Sequence, residues 1–364
     1  MKKIACLLLA LCLMLPLCAH AEEQGLKDVW SDVFRFGCAV PQHAFRDEAK
    51  TALLLQHFNT LTPENEMKPD SLLDLTASRA LAKDGDETHP AVHFDAALPL
   101  LNFARDNGMT VHGHVLVWHS QTPDAFFRVG YQPDGELCDR ETMLARMENY
   151  IAAVFAYLDE NYPGLVTSFD VVNEAISDST GRVRLGKSAD EKNGSRWVDT
   201  VGPDFVEYAF RYARKYAPEG MTLYYNDYSI PNTKKLLGVV QLVKPLKEEG
   251  TIDAVGLQCH YNLSWPSVRD IDTALNTFTS MGLKISATEI DIDVESPTDE
   301  QWAAQAKRYQ EVIEAFLPYA EHMERVTVWG LADNMSWKAD KYPLLFDGKL
   351  QPKEALKTLM NRQP

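Results

Sequence analysis

The sequence predicts an α/β protein built as one (β/α)8 TIM barrel, and three observations carry that expectation. Short apolar runs alternate with amphipathic stretches eight times between residues 25 and 360, the pattern of a closed parallel sheet wrapped in helices. No internal repeat or low-complexity linker interrupts them. Polar residues also gather just past the C-terminal ends of the runs, the face on which sites lie in this fold. An open doubly wound sheet is the alternative, but no Gly-x-Gly-x-x-Gly turn follows any expected strand.

Taken in order, the expected strands are Phe34–Val40, Phe58–Thr62, Thr110–Trp118, Ser168–Asn173, Leu223–Tyr225, Ala254–Gln258, Lys284–Thr288 and Arg325–Trp329. Helical periodicity is read over Ala96–Asn107, Arg140–Asn161, Pro203–Tyr216, Lys234–Glu249, Ile271–Ser280 and Glu300–Ala320. Residues 1–21 stand apart. Lys2 and Lys3 precede an apolar run to Leu17, and Ala19-His20-Ala21 offers a small-x-small cleavage site, so 1–21 is expected to be a signal peptide. Leu17 before Cys18 is too bulky for a lipoprotein signal. The expected destination is the periplasm or the medium, with one catalytic domain over 22–364.

The formal charge is −16, and the leader contributes two lysines and no acid. Such an acidic surface argues against nucleic acid and anionic membranes, and suits a soluble enzyme acting on a neutral polymer. No later segment approaches the ~20 apolar residues of a membrane span. Cys38, Cys138 and Cys259 remain beyond the leader, an odd set without Cys-x-x-Cys spacing. Neither a disulfide framework nor a zinc knuckle fits them.

The strand ends present Glu64, Asn65 and Lys68, then His119 and Gln121, Asn173-Glu174, Asn226-Asp227, Gln258 with His260, Glu289 and Trp329. Cleaving an acetal between sugars needs a proton for the leaving oxygen and electron density for the developing oxocarbenium carbon. Two carboxyl groups in different surroundings supply both. Glu174 ends the run Phe169–Asn173, and Glu289 ends Lys284–Thr288. Residues alone reach two carboxylates on one barrel mouth.

The motifs then become specific. Thr62-Pro63-Glu64-Asn65-Glu66-Met67-Lys68, Gly113-His114-Val115-Leu116-Val117-Trp118-His119-Ser120-Gln121, Asp170-Val171-Val172-Asn173-Glu174, Tyr225-Asn226-Asp227-Tyr228, Gln258-Cys259-His260, Thr288-Glu289-Ile290-Asp291 and Trp329-Gly330 follow one another along the chain. In this order they resemble family 10 glycoside hydrolases, the endo-β-1,4-xylanase family. The resemblance implies Glu174 as acid/base and Glu289 as nucleophile of a retaining reaction. It implies sugar contacts from Glu64, Asn65, Lys68, His119 and Gln121, and a 2-hydroxyl contact from Asn173. His260 and Gln258 would orient the nucleophile, and Trp329 and Trp337 would wall the cleft. Asn226, Asp227, Tyr228 and Asp291 would support the site. The implied substrate is xylan or its oligosaccharides, handled by a monomer without metal or cofactor. A β-glycanase cutting glucan or mannan is the near alternative; an inactive glycan-binding protein is a distant one.

The chain departs from the family pattern at Ala125, where a tryptophan is usual, so that a stacking wall is either weakened or supplied by Phe126. Pro69, Phe169, Ala287 and Cys38 are further departures. A barrel metal hydrolase is the rival from another class, since His112 and His114 alternate on one strand as a metal pair would; but the pair falls on the third expected strand, where the first is usual, and no cysteine or aspartate cluster completes a site. Trp30, Trp118 and Trp302 read as packing residues. Cys259 is expected to face away from the site by strand alternation, and Asp84-Gly85-Asp86-Glu87 to form a solvated loop.

Overall fold

A computed structural model describes residues 24–362; the expected leader lies outside the described residues. Nine parallel strands appear: β1 (Arg35–Val40), β2 (Thr60–Pro63), β3 (Thr110–Trp118), β4 (Val166–Asn173), β5 (Thr222–Asp227), β6 (Ala254–Leu257), β7 (His260–Asn262), β8 (Lys284–Asp293) and β9 (Met323–Val328). Strands β1 to β6 pair in sequence, β9 pairs with β1, and β8 pairs with both β9 and β6. Eight strands therefore close the expected barrel. The ninth, β7, is a three-residue extension lying on the outer end of β8, with His260 opposite Asp291.

That extension changes one boundary. The apolar pattern places a strand end at Thr288, yet β8 continues through Glu289 to Asp293 because β7 gives it a partner. Between β6 and β7 the chain turns at Cys259, whose φ of +63° lies in the left-handed region. Cys259 therefore sits in a turn and not in a strand, although its thiol is buried as expected.

Four of the longer helices start where a side chain satisfies their free N–H groups. Asp139 accepts from Thr142 N to open Arg140–Asn161, a helix with the bounds that its periodicity predicts. Asn232 opens Thr233–Glu248, Thr298 opens Asp299–Glu314, and Ser267 with Asp270 forms a capping box for Val268–Ser280. The last expected helix is shorter than its pattern, since a separate 3-10 turn covers Leu317–His322.

The core is one continuous apolar cluster between barrel and helices. Cys38, Cys138 and Cys259 are free and buried in it, and burial raises all three thiol pKa values. Trp30 stacks on Phe34, as a packing residue should. Phe126 is 1 % exposed among Tyr131, Tyr150 and Trp197, so it makes no sugar-facing wall in place of the missing tryptophan. The acidic tract is likewise not all solvated. Glu87 accepts from Gly130 N at 3.0 Å and from the fully buried Arg146 at 2.6 Å, tying its loop to Arg140–Asn161.

Candidate active site

The C-terminal ends of the strands surround a cleft of about 610 Å³, in the range of small-ligand sites. Glu64, Asn65, Lys68, His119, Gln121, Asn173, Glu174, Tyr228, Gln258, His260, Glu289, Trp329 and Trp337 all line it. Asn226, Asp227 and Asp291 lie behind this wall, fully buried.

Glu289 is held from below and from the side. Asn226 Nδ2 donates to Glu289 Oε1 at 2.7 Å. The Thr288 hydroxyl donates to Asn226 Oδ1 at 2.6 Å and so fixes which way that amide points. Gly256 on β6 leaves room for it: a Cβ there would meet Asn226 Oδ1 at 2.4 Å. His260 Nε2 lies 3.2 Å from Glu289 Oε2, and its Nδ1 lies 2.8 Å from Asp291. Burial opposes a charge on His260, but the flanking Asp291 and Glu289 carboxylates outweigh it and raise the imidazole pKa to about 10. At neutral pH His260 is therefore an imidazolium with one N–H for each carboxylate. Asp291 also accepts from Trp337 Nε1 at 3.0 Å and from Lys338 Nζ at 3.3 Å. It thereby joins the Glu289 side to the indole at the rim, which is 60 % exposed.

Glu174 is held differently. It follows β4 with φ +57°, a left-handed conformation that costs a residue with a Cβ about 1–3 kcal/mol. Its N–H donates to Asn226 O at 2.9 Å. Trp118 Nε1 donates to its Oε2 at 3.0 Å, and Gln258 Nε2 to its Oε1 at 3.0 Å. Asn173 Nδ2 is a third donor at 3.3 Å. Asn173 Oδ1 in turn accepts from Gln258 at 3.1 Å and from Asn226 at 3.2 Å. A continuous chain of side-chain amides thus runs from one carboxylate to the other.

These contacts revise two expectations. Gln258 serves Glu174 and Asn173, not Glu289, although β6 pairs directly with β8, the strand that carries Glu289. Trp118 is not mere packing; its indole is a hydrogen-bond donor inside the cleft. Asp227 stands behind the wall as a fully buried support. Its carboxylate meets Lys235 Nζ at 2.8 Å and accepts from Tyr225 Oη at 2.5 Å, and burial raises its pKa to about 6 despite the lysine. The His112–His114 pair is occupied by protein: His112 Nε2 and His114 Nδ1 lie 3.0 and 2.8 Å from the buried Asp170, and His112 Nδ1 lies 2.8 Å from Ser168 Oγ. Among the described residues, no group of three or more His, Cys, Asp or Glu could hold a metal ion.

On the opposite wall Lys68 Nζ reaches Asn65 Oδ1 at 3.0 Å and Gln121 Oε1 at 2.9 Å, below the Trp118 ring. Burial lowers the Lys68 pKa and raises that of Glu64. Burial also pushes His119 down to about 3, with Arg184, Lys235 and Lys187 adding to the effect, so His119 is neutral. Trp329 stands edge-on to His114 at 5.3 Å between ring centres. His114, Arg184, Asn193 and Lys338 also line the cleft, although sequence reasoning did not place them there. His114 lies on β3 four residues before Trp118, and position at that strand's C-terminal half was an available signal. Arg184 and Asn193 come from the long loop after β4 and carried none.

The glycosyl hydrolase family 10 profile matches residues 25–362. The chain is 37 % identical over 343 residues to endo-1,4-beta-xylanase B of Butyrivibrio fibrisolvens, covering 91 % of this chain and 52 % of that protein. It is 37 % identical to endo-1,4-beta-xylanase A of Thermotoga neapolitana, covering 92 % of this chain and 30 % of that one. The chain thus spans about half or less of the length of these curated relatives. Its fold superposes with a TM-score of 0.86 on the solved CBM22-1–GH10 modules of endo-1,4-beta-D-xylanase 10B from Clostridium thermocellum, complexed with xylohexaose. That match has 33 % identity and covers 95 % of this chain and 69 % of that one. An intracellular xylanase of Thermoanaerobacterium saccharolyticum matches with a TM-score of 0.81 and 31 % identity, over 93 % of this chain and 99 % of that one. With the barrel, the cleft and these matches in agreement, the chain belongs to glycosyl hydrolase family 10.

Proposed function

We propose that the protein is a retaining endo-β-1,4-xylanase, with Glu289 as nucleophile and Glu174 as acid/base. The observation that carries this reading is the pairing of two carboxylates on one cleft, joined by amides, with a cation hydrogen-bonded to only one of them. In the first step a Glu289 oxygen attacks the anomeric carbon as Glu174 gives its proton to the departing sugar oxygen. A covalent glycosyl-enzyme and a shortened chain result. In the second step Glu174, now a carboxylate, takes a proton from water as that water displaces Glu289 from the same carbon. Two inversions leave the configuration unchanged. The His260 imidazolium and the Asn226 amide favour Glu289 as the anion that attacks and later departs. Glu174 has neutral donors only, which leaves its proton free to move.

Substrate choice rests on the family and on a solved relative that is complexed with xylohexaose. Reducing ends released from xylan, carboxymethyl cellulose and mannan test it. Preference for xylan is expected; preference for either other polymer would reassign the specificity, and no release from any would mark a binding protein. Proton NMR of the first-formed product should show the β-anomer. Residues 1–21 support export, so the proposed enzyme acts outside the cytoplasm, and it does so as a monomer. N-terminal sequencing of the exported protein should begin at residue 22, and light scattering should give the mass of one chain.

A further inference from the structure

The acid/base reading raises a question about aim. A glutamate in a left-handed turn relaxes toward ordinary backbone unless neighbours hold it, and Glu174 must keep its carboxyl on the glycosidic oxygen. Its N–H is tied to Asn226 O. Its carbonyl is taken by Arg184 Nε at 2.7 Å. The same guanidinium donates through Nη1 to Asn193 O at 3.3 Å and through Nη2 to Tyr228 Oη at 3.1 Å. Asn193 and Tyr228 both line the cleft, and Arg184 lines it between them while being only 7 % exposed.

We propose that Arg184 is a positioning residue for proton transfer, clamping the strained Glu174 main chain to the Asn193 loop and to Tyr228 so that the acid stays aimed. The inference rests on the assignment of Glu174 as acid/base. A planar fork spreads its donors over three nitrogens at fixed angles and so spans three acceptors from three segments, whereas an ammonium gathers its three donors on one nitrogen. The charge is secure there: burial opposes it, but Tyr228, Asp227 and Glu174 together raise the guanidinium pKa. Arg184 makes no hydrogen bond to Glu289, Asn226 or His260. Its loss should therefore strike proton transfer and spare nucleophilic attack.

Aryl β-xylobiosides with leaving groups from 2,4-dinitrophenol to phenol separate these steps, because a good leaving group needs no proton. For Arg184→Met, kcat/KM on the phenyl substrate should fall roughly 10–100-fold, the scale of a misplaced catalytic group. The pre-steady-state burst of dinitrophenolate should change less than about threefold. Arg184→Lys should resemble the methionine variant more than the parent. Guanidinium ion added at tens of millimolar to Arg184→Ala should restore part of the phenyl activity only. Tyr228→Phe, which removes one acceptor of the clamp without opening a hole, should shift the same ratio in the same direction by less. That variant decides the matter if the Arg184 variants do not fold. Equal loss on both substrates, or no loss on either, overturns the proposal; a residue that merely stabilises the loop would lower the melting temperature and leave the ratio alone. Glu174→Ala run in parallel keeps the two readings apart. If it shows no leaving-group dependence, the acid/base assignment fails. If it does and Arg184→Met does not, only the clamp fails.

Discussion

Glu289 takes one of its hydrogen bonds from a cation, whereas Glu174 takes its hydrogen bonds from an indole and two amides. The surroundings differ in backbone too. Glu289 lies within a strand, β8, that also pairs with β7; Glu174 sits in a left-handed turn held by neighbouring loops. On the proposed roles, the group that must stay ionised has a charge-assisted partner, and the group that must gain and lose a proton has neutral donors.

The sharpest way to break this contrast is to remove each carboxylate. Glu289→Ala should lower turnover on every substrate by on the order of 10⁵-fold. Glu174→Ala should cost about 10²–10⁴-fold on xylan, yet spare glycosylation by dinitrophenyl substrates, with azide rescuing the slowed second step. Equal and unrescued losses in both would erase the distinction.

His260 tests the charged side. As pH rises through about 10 the imidazolium loses a proton, and either Glu289 or Asp291 loses its donor. Activity should fall along that limb. His260→Asn should abolish the limb and cost about 10²–10³-fold, as loss of one preorganised donor does. Stability follows the same sign. The folded value lies above the ordinary imidazole value of 6.5, so this contribution is complete below pH 6.5 and vanishes as pH passes about 10. Melting temperatures of parent and variant across pH 6 to 11 should converge at the alkaline end.

Smaller effects probe the supports. Gly256→Ala pushes a methyl against Asn226 Oδ1 and should lower kcat roughly 10–100-fold through displacement of the Glu289 donor, with KM little changed. Trp118→Phe removes one neutral donor to Glu174 while keeping the ring. It should cost about tenfold, the equivalent of one ordinary hydrogen bond, and more on poor leaving groups than on good ones.

How much of this was legible depends on the range of the forces involved. The barrel was legible because each strand is a local apolar run and each helix a local period, and Arg140–Asn161 even carries its own Asp139 cap. The extension of β8 was not, since its outer end depends on pairing with β7, which a left-handed turn at Cys259 delivers from another segment. Glu174, Glu289, Asn173, His260 and the Lys68 wall were legible as polar residues at strand ends. Trp118 was set aside as packing because composition says nothing about where an indole N–H points. Gln258 was assigned to the wrong carboxylate for a similar reason: strand order does not say which of two neighbours a side chain will meet. Arg184 lies ten residues into a loop, where no periodicity applies.

One consequence follows from the sealed thiols. Cys38, Cys138 and Cys259 are at most 5 % exposed, and burial holds their pKa values up, so maleimide dyes find no reactive partner among the described residues. A cysteine introduced at Leu185, which is 60 % exposed next to Arg184, would carry a fluorophore at one chosen address beside the cleft, without first stripping the native cysteines from the core.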